Sequence, residues 1–174
     1  DEIINDDRIN LVFIATRHDS HSKYVINALK SGKPVFVEKP LAINQVELDE
    51  IREVLNRTNG RLMVGFNRRF SKSFQEIKKF FANRTDPLFI NYRINAGFIP
   101  KSHWVQHTEQ GGRIIGEVCH FIDLAMYIAS SPITDIVAYT KPNITQDTVS
   151  ISLQFANGSI ANISYFYAAY HDGK

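Results

Sequence analysis

The sequence predicts an α/β fold, a parallel sheet followed by an α+β domain with a largely antiparallel open sheet. Three observations carry this. Short apolar runs alternate with helical repeats as far as Phe66. The last part of the chain alternates apolar and polar residues in the manner of strands. An Asn157-Gly158 pair then joins the final two strands, as in a hairpin. The 174 residues leave room for one large domain or two small ones, and 44% hydrophobic with 22% charged residues is enough for a real core.

The elements follow in order. Ile9 to Ala15 is a continuous apolar run with β-branched members, suited to a parallel strand buried on both faces. Asp19 or Ser20 then caps a helix whose stripe is Tyr24, Val25, Ala28 and Leu29, and Gly32 sits where a C′ glycine belongs. Val35 to Val37 is the second strand. Asn44 and Glu47 form a capping box ahead of Leu48, Ile51 and Leu55, and Asn59-Gly60 ends that helix. Leu62 to Phe66 is the third strand. This β-α-β-α-β order is the α/β signature. A domain change is expected near Phe66, giving residues 1–66 and 67–174. In the second part a helix is predicted over Ser71 to Phe81, with Phe74, Ile77, Phe80 and Phe81 inward. A strand follows over Leu88 to Asn95, a helix over Ile114 to Ala129, and strands over Ile133 to Tyr139, Thr148 to Phe155 and Ser159 to Tyr167. Asn157-Gly158 predicts a type I′ turn between the last two.

The totals exclude several classes. A net charge of +2 with scattered Lys and Arg argues against nucleic acid. The single cysteine, Cys119, rules out an intramolecular disulfide framework and a Cys-rich zinc site, and fits a reducing compartment. No run of about 18 apolar residues appears, so no membrane partner is expected. The acidic start, Asp1-Glu2, is no signal peptide, and a cytoplasmic location is the expectation.

Three constellations can carry chemistry. Glu38-Lys39-Pro40 follows a parallel strand directly, and ligands of α/β sheets bind outside the carboxyl ends of the strands. Lys39 there is either an acid–base group or a solvated loop lysine. The second constellation is Gly111-Gly112-Arg113-Ile114-Ile115-Gly116-Glu117-Val118-Cys119-His120-Phe121-Ile122-Asp123. Glu117, His120 and Asp123 are spaced three apart, as neighbours on a helix. A histidine beside a carboxylate can shuttle protons near neutrality, although the spacing also fits a structural histidine. Glu117-x-x-His120 matches half of a di-metal motif whose other half is absent, so no metal is expected. The third constellation is Gly65-Phe66-Asn67-Arg68-Arg69-Phe70, either a holder of a polar ligand or a hinge with two solvent-facing arginines.

"IATRHDSH", "GKPVFVEKPLA", "VGFNRRF" and "GGRIIGEVCHFIDL" occur in an order and spacing that resembles the Gfo/Idh/MocA oxidoreductases. The likeness is greatest to the branch often joined to a zinc-type alcohol dehydrogenase domain. The resemblance implies the C-terminal part of a Rossmann-type sheet in residues 1–66 and a substrate-binding and oligomerisation domain in residues 67–174. It implies hydride transfer between NAD or NADP and a hydroxyl or keto carbon of a sugar or cyclitol, with a homo-oligomer built through the C-terminal sheet. Lys39 would be the catalytic lysine and His120 the general acid/base, with Glu117 and Asp123 as the nearby acids. Thr16, His21, Glu38, Lys39, Pro40 and Asn67 would meet the cofactor. A cis Lys39-Pro40 peptide is also expected.

Two departures stand out. Many family members carry an Asp one turn before the histidine, and here that position is Gly116. The alternative reading is therefore a catalytically degenerate sugar-binding or oligomerisation domain. The 174 residues also contain no Gly-x-Gly-x-x-Gly turn, so a fragment with an incomplete cofactor site, inactive alone, is expected. Calorimetric titration of residues 1–174 with NADH or NADPH should accordingly show no tight binding. A tight, saturable isotherm would contradict the missing-anchor argument.

Overall fold

The computed structural model describes residues 2–140 and 147–167. It divides into two compact units, Asp1–Phe66 with His107–Gly116, and Asn67–Gln106 with Glu117–Lys174.

The first unit carries a short helix α1 (Glu2–Asn5) and then β1 (Val12–Ile14), α2 (His18–Lys30), β2 (Val35–Val37), α3 (Gln45–Thr58) and β3 (Leu62–Val64). The strands are parallel in the order β1-β2-β3, with Ile14, Val37 and Val64 aligned at their carboxyl ends. Sequential order with crossovers of one hand puts both helices on one side of the sheet. Val12, Ile14, Val35 and Val37 are buried there with Val25, Ala28, Leu29, Ile51 and Val54. β1 is thus buried on one face, not on both as its apolar run predicts: Phe13 is 68% exposed and leans on Phe36 at 5.1 Å.

Local chemistry sets the helix ends. α2 begins at His18 with Arg17 in the N-cap position and no side-chain cap, so Asp19 and Ser20 lie inside the helix rather than ahead of it. Ser20 instead turns its hydroxyl back onto the Arg17 carbonyl at 2.8 Å. Gly32 takes φ +72° and closes on the Leu29 carbonyl. At α3 the Asn44 side chain accepts from the Glu47 N–H at 3.0 Å, and the Glu47 carboxylate accepts from the Ile43 N–H at 3.1 Å. This is a capping box closed one residue early.

The second unit opens with a 3₁₀ turn, Asn67–Phe70, then α4 (Lys72–Phe80) capped by Ser71. β4 (Phe89–Asn95), α5 (Cys119–Ala129), β5 (Ile133–Thr140), β6 (Val149–Phe155) and β7 (Ile160–Phe166) follow. The sheet runs β4-β7-β6-β5, with β4 and β7 parallel and the other pairs antiparallel. Alternation puts Ile151, Leu153, Ile163 and Tyr165 on its buried face and Ser150, Gln154 and Ser164 on its open one. The end of α5 is held by donors that satisfy its last carbonyls. Lys78 reaches the Tyr127 carbonyl, while Arg84 and Asn157 both reach that of Ala129.

Three predictions change in this unit. The stripe of α4 is not wholly inward: Phe74 lies 6.4 Å from Tyr92 of β4, but Phe80, the last residue of α4, is 82% exposed. The β6–β7 hairpin is not type I′. Gly158 alone takes positive φ, and its N–H closes on the Phe155 carbonyl, as in a longer loop with a left-handed glycine. The helix predicted from Ile114 starts as a π turn, Ile114–Val118, before α5 begins.

Candidate functional site

In the first unit the register of three parallel strands brings their exits together. The Glu38 N–H donates to the Ile14 carbonyl at 2.9 Å and the Gly65 N–H to the Val37 carbonyl at 2.7 Å. Thr16, Glu38-Lys39 and Gly65 therefore stand side by side at the carboxyl end of the sheet. His21, fully buried, ties two of these exits. Its Nδ1 lies 2.7 Å from the Pro40 carbonyl and its Nε2 3.1 Å from that of Thr16. The Lys39-Pro40 peptide is cis. Glu38 lies over Gly65, so closely that a Cβ there would sit 3.1 Å from the carboxylate.

Lys39 is half-buried, and its ammonium donates to the Gly116 carbonyl at 2.7 Å. Gly116 itself is confined: a Cβ on it would lie 2.9 Å from His18 Cε1. His18 is 6% exposed and its Nδ1 faces the Gln110 carbonyl at 2.9 Å. Gly111 and Gly112, both at positive φ, turn the chain between that carbonyl and the π turn. Nothing about His18 stands out in the sequence beyond its place two residues after Thr16.

In the second unit His120 is 6% exposed on α5, and Asn67 is exposed at the start of the 3₁₀ turn. Asp123, 8% exposed at its side chain, is held through both oxygens by Arg69. Arg69 also lies over the Tyr127 ring, and Arg68 over that of Phe121 at 4.6 Å. The two arginines are thus neither an open anion holder nor simply solvent-facing. They fasten the 3₁₀ turn to α5. Glu117 is bonded to the hydroxyl of Tyr165, a residue the sequence reading passed over. Its signal was a tyrosine on the apolar phase of a strand, since a buried phenol needs a partner.

A sheet of parallel strands with acid, base and hydroxyl side chains at its carboxyl ends, in a chain that also carries an α+β unit with an open sheet, has the architecture of the Rossmann class, in which ligands bind outside the carboxyl ends of the strands. Known proteins narrow this. Residues 1–66 match the family description "Oxidoreductase family, NAD-binding Rossmann fold", and residues 84–174 match "GFO/IDH/MocA C-terminal domain". The chain belongs to the GFO/IDH/MocA family. It is 27% identical over 172 residues to the myo-inositol 2-dehydrogenase of Thermotoga maritima, covering 93% of this chain and 51% of that one. It is 29% identical over 146 residues to the scyllo-inositol 2-dehydrogenase (NAD(+)) of Bacillus subtilis, covering 80% of this chain and 41% of that one. Among solved structures, a levoglucosan dehydrogenase in complex with NADH and levoglucosan is similar with a TM-score of 0.84 at 25% identity, over 98% of this chain and 51% of that one. An NAD-binding protein from Listeria innocua gives 0.80 at 28%, over 97% and 52%. The chain spans about half the length of the curated relatives it matches. Among the described residues no helix is long and apolar enough to cross a membrane.

Burial holds the His18 imidazole below its ordinary value of 6.5, helped by the nearby Lys39 and His21 and opposed by the Gln110 carbonyl and Asp19. The folded state thus binds a proton on His18 less readily than the unfolded chain. The resulting stability is present above the unfolded value and is lost as pH falls through the folded one. His18→Gln should flatten the decline in stability below about pH 6.5, read from urea midpoints at a series of pH values. An unchanged slope would remove His18 from the acid response.

Proposed function

We propose that the protein is an NAD(P)-dependent oxidoreductase moving a hydride to or from a hydroxyl or keto carbon of a sugar or cyclitol-like substrate. The observation that carries this is Lys39, half-buried at the carboxyl end of β2 with its ammonium aimed by the Gly116 carbonyl. The substrate class is supported by the relatives, two named for inositols and one solved with NADH and levoglucosan.

The nicotinamide would supply the hydride acceptor or donor. In alcohol oxidation the substrate C–H electron pair leaves as hydride, and the hydroxyl proton leaves to a base. Lys39 holds the oxygen and His120 takes that proton; in the reverse direction His120 returns it to the nascent alkoxide. Thr16, Glu38 and Asn67 are proposed to meet the cofactor, with the buried His21, both ring nitrogens on carbonyls, and Pro40 fixing the strand exits behind them. The acceptors and donors at the exits of β1 and β2 suit the amide and ribose end of a dinucleotide, with Glu38 close over Gly65. Residues 1–66 then serve the dinucleotide, and residues 67–174 serve substrate and assembly. Of the two acids, Asp123 is committed to Arg69, which favours Glu117 as the proton-handling one.

Lys39→Ala should lower kcat by about 10²–10⁴-fold with the melting temperature little changed, measured in a full-length protein carrying this chain, with NAD(H) or NADP(H) and a panel of inositols and sugars. A rate equal to wild type would take Lys39 out of the mechanism. The second reading, a binding domain without turnover, is favoured by one observation: Gly116 carries no acid. Sugar binding with no redox turnover in the presence of cofactor would support it.

A homo-oligomer through the open face of the C-terminal sheet belongs to the same proposal. Phe89 and Ile160, paired across β4 and β7, are 67% and 36% exposed on that face, and Val137 beside Ser152 is 42% exposed. Apolar side chains on an open sheet face favour burial against a copy. Sedimentation velocity should show a species larger than the monomer, and a clean monomer at tens of micromolar, on the order of working concentrations, would count against it.

A further inference from the structure

The carboxylate that the proposed chemistry calls for is absent at position 116 and present at position 117. In a continuous α-helix that step would turn it by about 100°. The helix is continuous but not α throughout. Ile114–Val118 form a π turn, and α5 starts only at Cys119. A π turn closes i→i+5 instead of i→i+4, so it holds one extra residue and absorbs an offset of one. Glu117 lies inside it, three residues before His120.

The Glu117 carboxylate accepts a hydrogen bond from the Tyr165 hydroxyl. Tyr165 is 1% exposed on the buried face of β7, between Ser164 and Phe166 of a strand paired on both sides. Its ring lies 6.3 Å from that of Phe121, on the same helix as His120. A ring so enclosed gives its hydroxyl a fixed aim. The other candidate acid, Asp123, is taken up by the guanidinium of Arg69.

We infer that Tyr165 is a positioning residue: its hydroxyl holds Glu117 as the carboxylate of the acid–base site, in place of the acid missing at Gly116. The inference rests on the oxidoreductase reading above. A hydrogen bond to a carboxylate favours its ionised form. An ionised carboxylate close before a histidine on one helix stabilises the imidazolium formed when the ring takes a proton.

Tyr165→Phe and Glu117→Gln, alone and combined, test this in a full-length protein carrying this chain, assayed with NAD(H) or NADP(H) and an inositol. Tyr165→Phe should lower kcat by about tenfold or more, leave KM for the cofactor unchanged, and add nothing once Glu117→Gln is present. Independent losses, or an unchanged kcat in Tyr165→Phe, overturn the inference. The ¹⁹F spectrum of 3-fluorotyrosine-labelled protein gives a readout independent of turnover and of whether Tyr165→Phe folds. The resonance of Tyr165 should shift on Glu117→Gln. A wild type without turnover removes the oxidoreductase reading alone, whereas an unmoved ¹⁹F resonance removes this one.

Discussion

The main chain at Gly116 is the constraint on which the first unit's candidate site depends. Its carbonyl receives the Lys39 ammonium, and its α-carbon is pressed by the His18 ring. A lysine head is a compact charge with three donors on a flexible stem, so it needs an acceptor to fix its aim. A backbone carbonyl can do this whatever side chain the residue carries. The His18 contact then forbids any side chain at all unless the imidazole moves. The absence of an acid at position 116 is therefore not an isolated loss. It goes with a histidine that occupies the space and donates its own hydrogen bond to the Gln110 carbonyl.

Around that point the structure is held by contacts of very different sequence separation, and this decides what the sequence made legible. The existence and parallel direction of the three strands, the Asn44–Glu47 cap and the Gly32 ending are written in residues within a few positions of one another, and these were legible. The Glu38-Lys39 pair at a strand exit was also readable, because an apolar run ending in charge without a loop is itself a local pattern. The His18–Gly116 contact spans almost a hundred residues of sequence and leaves no local trace. Nor does Arg69–Asp123, 54 positions apart. Arg68-Arg69 therefore read either as a holder of a polar ligand or as a hinge with two solvent-facing arginines, whereas the fold uses one for an ion pair and the other for a ring face.

The misread elements share another cause. Periodicity reports which residues are apolar, not how many neighbours exist to cover them. The β1 run is apolar throughout, yet both helices of the unit lie on one side of the sheet and Phe13 is left exposed. Phe80 carries the apolar stripe of α4 to its last residue, which is left exposed. The π turn is hidden for a related reason. Ile114 to Ala129 carries a helical apolar pattern, and one inserted residue perturbs a period of 3.6 too little to be seen over so short a stretch.

The two units hold their polar groups in opposite ways, and this bears on how each tolerates change. In the first, Lys39, His18 and His21 are all oriented by main-chain carbonyls, of Gly116, Gln110, Pro40 and Thr16. Such a site is sensitive to the path of the backbone and to bulk at Gly116, and indifferent to most side-chain chemistry around it. In the second, Glu117 and Asp123 are oriented by side chains, the Tyr165 hydroxyl and the Arg69 guanidinium. Removing Arg69 takes the ion-pair partner from the buried Asp123 carboxylate, and an uncompensated buried charge costs several kcal/mol, roughly 3–5 where burial is deep. Charge placement in the second unit thus depends on two specific residues, one on a strand and one in a 3₁₀ turn, neither adjacent to the acid it holds. An acid at position 117 rather than 116 finds an orienting partner in Tyr165, a residue of the neighbouring sheet.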